Sequence, residues 1–443
     1  MNTENALSCE LLLHAKWVIP VVPEGLVLEQ HAVAIKDRKI VAILPSAEAR
    51  RTVLAAHVVE LPEHALIPGL VNAHGHSPMV LFRGIADDMP LQQWLEQRIW
   101  PLEQRFVDEH FVYQGSRLAI AEMISSGTTC FADMYFFPGA VAKAALEANV
   151  RVQLASPVLD FPTIWARDAD EYIAKATQLH DDFRHNEFIY TAFGPHAPYT
   201  VADAPLRKLS VLAEEMDIPI HMHIHETAQE IADAVKFDGR RPLQRLADLG
   251  IISPRLLCIH ATQLTQAEIQ LLGDLGSHVL HCPESNLKLA SGFCEVAQLL
   301  ANNVNVALGT DGGASNNDLD MLSEMHMAAL LAKAVARDAS ALPAPRALTM
   351  ATLGGARALG LEHAIGSLEL GKFADIAAIT LQDLNSSPVY NPISNIVYAA
   401  TAAQITHVWC GGKALLLNRE LQTLDKDQIL ATTNEWRQRI ATA

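Results

Sequence analysis

The chain has 443 residues, half of them apolar, enough to bury a substantial core and to divide into one large domain and a smaller one. A formal charge of −17 leaves no basic face to collect phosphates, so nucleic acid and anionic membranes are poor partners and a small-molecule substrate is favoured. The opening MNTENALSCE has neither a basic n-region nor an apolar run, and nothing later is long enough to span a bilayer, so a cytoplasmic, unprocessed protein is expected.

In chain order, CELLLHAKWVIPVV and HAVAIKDRKIVAIL alternate like paired strands, with Lys36, Asp37, Arg38 and Lys39 as a hairpin turn. These strands cannot close a core alone. The pattern then changes to short, wholly apolar runs separated by stretches of helical period, as in buried parallel strands with covering helices. Eight such runs occur: ALIPGLVNAH, TCFADM, RVQLASPVLD, FIYTAFGPHA, IPIHMHIHE, LLCIHA, HVLHCPES and VNVALGTD. Eight β/α units between residues 66 and 364 predict a (β/α)8 TIM barrel. FADIAAIT and ITHVWCGGKALLL near the C-terminus match the N-terminal strands, so residues 1–65 and 365–443 are expected to form a composite β-sandwich. The apolar helical stretch MLSEMHMAALLAKAVA suggests a homodimer.

Polar residues gather where barrel chemistry occurs, at the C-terminal ends of these runs: His74, His76, His196, His223, His260, His281 and Asp311. His74 and His76 are two apart, so a strand aims both imidazoles to one face. His221, His223 and His225 also share a face by alternation, and spacing alone does not say which of them binds an ion. Asp311, in LGTDGG, either reaches the same point or serves as an ordinary helix N-cap. Together these residues offer three imidazoles and one carboxylate, a set suited to one divalent ion, Zn²⁺ first, with Fe²⁺ or Mn²⁺ as alternatives. Such an ion lowers the pKa of bound water from about 15.7 to about 7. The six cysteines, Cys9, Cys130, Cys258, Cys282, Cys294 and Cys410, form no C-x-x-C pair and read as reduced packing residues.

At these positions the chain resembles the amidohydrolase superfamily, and within it the 5-methylthioadenosine/S-adenosylhomocysteine deaminase branch, which shades into the triazine chlorohydrolases. The matching blocks are IPGLVNAHGH, GTTCFADMY, GPHAPYT, HIHETAQE, HATQLT, HCPESNLKLASG, LGTDGGASNNDLDML and GSLELGKFADIAAI. The resemblance implies that His74, His76, His223 and Asp311 bind the metal and that His225 is only a neighbour. It makes Glu226 the acid that protonates the purine ring nitrogen. His260 then orients and polarises the water, and Asp311 takes its proton and passes it to the leaving amine. Glu226 needs a raised pKa for this role, because an aromatic amidine carbon resists hydroxide until the adjacent nitrogen is protonated.

The resemblance further implies that Glu103 accepts hydrogen bonds from the ribose hydroxyls and that His196 contacts substrate. Trp94 lies in a segment that either closes over the site or packs on the barrel, and Ser315 is close enough to Asp311 to reach substrate. Members that accept S-adenosylhomocysteine are expected to hold its carboxylate with arginine after the third barrel strand, but LASPVLDFPTIW has none before Arg167. The expected substrate is therefore 5'-methylthioadenosine ahead of S-adenosylhomocysteine or adenosine, with Phe161, Pro162, Ile164 and Trp165 lining a thiomethyl pocket or forming a packed loop. The alternative enzyme is a hydrolase of another heterocycle, such as a triazine chlorohydrolase or a guanine or cytosine deaminase. A metal-free scaffold would have lost ligands or the acid, and none is missing.

Overall fold

The computed structural model describes residues 7–442; the opening MNTENA, on which the expectation of an unprocessed start partly rests, lies outside the described residues. Four strands come first: β1 (Leu7–Val18), β2 (Leu28–Lys36), β3 (Lys39–Pro45) and β4 (Val53–Pro68). The hairpin between β2 and β3 turns at Asp37 and Arg38, whose φ angles of 49° and 69° are the paired left-handed conformations of a two-residue β-turn.

Eight parallel strands follow: β5 (Leu70–Asn72), β6 (Thr128–Asp133), β7 (Arg151–Val158), β8 (Ile189–Pro195), β9 (Ile220–Ile224), β10 (Leu256–His260), β11 (His278–His281) and β12 (Asn305–Leu308). They are hydrogen-bonded in sequence order from β5 to β12. The seam is bridged where Ala73 N donates to Leu308 O (2.9 Å) and Asp311 N to His74 O (3.0 Å), so the sheet closes almost completely into a TIM barrel. Alternation divides each strand between two cores: Phe131, Leu154, Phe193 and Cys258 join the helix layer. Cys130, Ala132, Ala155, Ala192 and Ile259 form a separate cluster inside the barrel.

Four later strands, β13 (Ile376–Thr380), β14 (Ile405–Cys410), β15 (Lys413–Leu417) and β16 (Glu420–Leu421), join the first four in one continuous sheet of order β16-β15-β14-β13-β4-β1-β2-β3. The two ends of the chain thus build one β domain, as their patterns predict, and β4 is the strand through which they pair. One expected element is divided. ALIPGLVNAH was read as a single barrel strand, but its first part ends β4 in the outer sheet and only Leu70–Asn72 enters the barrel. Gly69 stands at the crossover, where a Cβ would lie 2.1 Å from Thr129 Oγ1.

The two sheets are pinned together by a buried ion pair. Arg151 Nε donates to Asp375 Oδ2 (2.8 Å), Gly411 N donates to Asp375 Oδ1 (2.7 Å), and the guanidinium lies over Phe373 at 4.2 Å. All six cysteines are buried and free. In the helix Met321–Ala336 behind the dimer expectation, Met321, Leu322, Met325, Ala328 and Ala329 are buried within the chain itself. Among the described residues no helix is long and apolar enough to cross a membrane.

Candidate active site

β9 shows how strand geometry builds the site. Ile220, Met222 and Ile224 pack into the helix layer, so His221 and His223 face the barrel interior. Depth then separates them, as alternation could not. His223 sits at the rim, its ring 5.0 Å from that of His74 and 5.4 Å from that of His76. His221 lies behind His74, its Nε2 2.8 Å from His74 Nδ1. His225 turns away at φ 56°, where its Nε2 accepts from Leu243 N at 3.2 Å.

His74, His76 and Asp311 converge from the two sides of the seam. Asp311 Oδ1 is 3.3 Å from His74 Nε2 and 3.2 Å from His76 Nε2. The ligand atoms of this trio, and those of His74, His223 and His260, each fall within 4.8 Å of one another. The N-cap alternative for Asp311 does not hold: the next helix begins at Met321 and is capped by Asp320. Asp311 instead occupies left-handed backbone at φ 62°, as does His260 at φ 69°, a strained conformation typical of functional positions.

Outer contacts aim the four imidazoles. His76 Nδ1 donates to Met134 O (2.6 Å) and His223 Nδ1 to His196 O (2.7 Å), while His260 Nδ1 meets Asn286 Oδ1 (2.8 Å). With its hydrogen on Nδ1, each of these rings would present its Nε2 lone pair to a cation at the centre. Asp311 Oδ2 accepts from Ser285 Oγ (2.6 Å) and Ser315 Oγ (2.8 Å), leaving Oδ1 for the histidines. His74 Nε2 is fully buried and, among the described residues, has no hydrogen-bond partner, as suits an atom that binds a cation. Three imidazole nitrogens and one carboxylate oxygen at this spacing fit one divalent transition-metal ion.

Electrostatics agree with the acid–base roles. Burial opposes ionisation of Asp311, but the neighbouring His74 and His76 outweigh it and hold the carboxyl well below the usual range. At Glu226 burial prevails and raises the pKa, with His260 opposing and Asp311 reinforcing the rise. Glu226 Oε2 lies 3.8 Å from His260 Nε2.

These groups form the floor of a cavity of about 660 Å³. Across it stands Glu103, whose Oε1 accepts from Tyr135 Oη (2.8 Å) and whose pKa burial pushes up to about 7. His196, Trp94 and Ser315 also line the cavity, whereas His74 is fully buried and is not among the lining residues. Burial lowers the His196 imidazole to about 4, keeping it neutral. Trp94 is buried on a short helix, Leu91–Trp94, that leads into the segment carrying Glu103.

The loop after the third barrel strand combines its two alternatives. Phe161, Pro162 and Ile164 line the cavity, but Trp165 does not. Its ring packs 5.6 Å from that of Tyr172, against the core. His281 ends β11, as its place in the pattern predicts, but it is buried and is not among the residues that line the cavity. Arg167 is exposed and paired with Glu171 at 2.7 Å, and among the described residues no arginine or lysine lines the cavity. Sequence reasoning missed Tyr135, Ser285 and Asn286 as supporting residues. All three lie inside the matched blocks, where only the resemblance, not their spacing, marked them.

The sequence model of the amidohydrolase family matches residues 65–415, four-fifths of the chain and nearly all of the site. The chain belongs to the amidohydrolase family. Among related amidohydrolases, the 5-methylthioadenosine/S-adenosylhomocysteine deaminase of Saccharophagus degradans is 49% identical over 98% of each chain. The enzyme of the same name from Teredinibacter turnerae is 48% identical over 98% of this chain and 99% of its own. A crystal structure of an adenosine deaminase from Xanthomonas campestris with bound zinc superimposes with a TM-score of 0.98, at 51% identity over 99% of this chain and 100% of that one. The atrazine chlorohydrolase of Arthrobacter aurescens, at 22% identity and a TM-score of 0.89, shares the fold.

Proposed function

We propose that this amidohydrolase is a zinc-dependent hydrolytic deaminase of adenine nucleosides, with 5'-methylthioadenosine as its preferred substrate. One observation carries the reading: His76, His223 and Asp311, converging with the buried His74, line the same cavity as a buried acid, Glu226, and a second carboxyl, Glu103. The metal-bearing adenosine deaminase and the deaminase relatives support it.

When bound, the divalent ion makes hydroxide available from water at neutral pH. The protein's own groups do the rest. Glu103, steadied by Tyr135, accepts hydrogen bonds from the ribose hydroxyls and sets the purine against the floor. Glu226, whose desolvated position favours its protonated form, gives its proton to the ring nitrogen next to the amine-bearing carbon as water adds there. His260, held by Asn286, orients that water. Asp311, fixed by Ser285 and Ser315, takes one proton of the water and delivers it to the amine, which leaves as ammonia, while the hydroxyl left on that carbon returns its proton to Glu226 as the C=O bond forms. Nucleoside plus water thus becomes the inosine analogue plus ammonia.

Preference at the 5' end follows from the lining. Phe161, Pro162 and Ile164 present apolar surface and, among the described residues, no arginine or lysine lines the cavity, which suits a thiomethyl group and leaves an amino-acid carboxylate without a guanidinium or ammonium partner. The test is an ultraviolet assay on methylthioadenosine, adenosine, S-adenosylhomocysteine, guanine and a triazine, with zinc measured on the same sample. Loss of the adenine band with methylthioadenosine as the best substrate supports the reading; activity confined to guanine or the triazine refutes it. The homodimer and cytoplasmic location expected from the sequence belong to this proposal too, and light scattering checks the first.

A further inference from the structure

Four imidazoles converge at this site, and three of them are held from behind in ordinary ways, two by backbone carbonyls and one by an asparagine oxygen. His74 is held differently. Its Nδ1 meets Nε2 of another imidazole, His221, at 2.8 Å, with ring centroids 5.1 Å apart and planes inclined by 33°. Both residues are completely buried. His221 has no part in the acid–base chemistry, for it lies beneath His74 and does not line the cavity.

The chemistry of the contact dictates its direction. If His74 Nε2 is to bind a cation through its lone pair, the ring's one hydrogen belongs on Nδ1, which then donates to His221 Nε2. His221 must in turn carry its own hydrogen on Nδ1, an atom that is buried and has no hydrogen-bond partner among the described residues. A hydrophobic residue at 221 would avoid that second buried donor but would strand the first, at His74. Were the tie merely a packing contact, no such constraint on either ring would exist.

We propose that His221 is a positioning residue for the ion centre: it accepts the Nδ1–H hydrogen bond of His74 and thereby fixes that ring's tautomer and orientation. The inference rests on the reading that His74 is a metal ligand. Its location supports it, since His221 reaches His74 across the barrel from β9 and so couples the ligand from the first barrel strand to the strand that supplies His223.

The test compares His221→Leu, which removes the acceptor, with His221→Gln, whose Oε1 reaches about as far as the imidazole Nε2. Zinc affinity is measured by competition with a chromogenic chelator, and the visible spectrum of the cobalt-substituted protein is recorded. His221→Leu should weaken zinc binding by about 10- to 100-fold, the usual cost of removing such a support, and should alter the cobalt spectrum. His221→Gln should restore binding to within about threefold of the parent. His221→Met replaces the leucine variant if that protein fails to accumulate, with the same expectation. Parent-like zinc affinity in the leucine or methionine variant, or equal loss in the glutamine variant, overturns the inference. A parent protein that binds no zinc at all would instead sink the functional reading beneath it, so the two failures are distinguishable.

Discussion

Replacing Glu103 with alanine tests whether the substrate carries a ribose. Tyr135 occupies Oε1 at 2.8 Å, which leaves Oε2 and the remaining lone pairs free to accept from sugar hydroxyls. One hydrogen bond to a charged acceptor contributes about 1.5–3 kcal/mol, so its loss should raise KM by about 10- to 150-fold. The chemical groups on the floor are untouched, and kcat should fall far less than KM rises. Steady-state kinetics on methylthioadenosine and on its 2',3'-dideoxy analogue supply the decisive comparison. The parent should lose roughly as much affinity for the analogue as the variant loses for the nucleoside, while the variant should treat both alike. A Glu103→Ala enzyme with parental KM, or one that still distinguishes the analogue, refutes the assignment and favours a heterocycle without a sugar.

Other consequences follow from the same geometry. Glu103 has a pKa pushed up to about 7, so it is ionised above that pH and protonated below it; KM should rise as pH falls through about 7, and Glu103→Gln should flatten this dependence in an initial-rate profile. A Cβ on Gly309 would lie 2.7 Å from His74 N and 2.9 Å from His74 O, so Gly309→Ala should force the seam apart and weaken zinc binding by about tenfold or more, measured by chelator competition. Asp375→Ala would leave the Arg151 guanidinium buried without its carboxylate, and about 3–5 kcal/mol of stability should be lost, read as a lower urea midpoint. Replacing both partners by apolar residues should recover much of that loss.

How far the sequence reveals this molecule depends on the kind of information each feature carries. The barrel is legible because burial on both faces makes each strand a short apolar run, and seven of the eight runs coincide with strands. The first run misleads because it is equally apolar on both sides of Gly69, so hydropathy cannot mark the crossover from β4 to β5. His74 and His76 are legible as a pair by their two-residue spacing, although β5 ends at Asn72 and both lie just beyond it. His221 and His223 share that property, and only their different depths, set by where β9 ends, separate a support from a rim residue. Trp165 fails for a different reason: loop residues have no period, so nothing in FPTIW tells which side chains meet the cavity. Ser285 and Asn286 lie on a short helix, Pro283–Lys288, whose polar residues look like ordinary surface until the fold brings Asp311 and His260 beside them.

The central claim is that one cation, gripped by His74, His76, His223 and Asp311, is required for turnover. Dialysis against a chelator, with metal content and deaminase activity followed on the same samples, tests it most directly. Activity should fall in proportion to zinc lost and return fully at one equivalent of zinc per chain. Undiminished turnover by protein stripped of metal, or recovery only at two equivalents, would contradict the account.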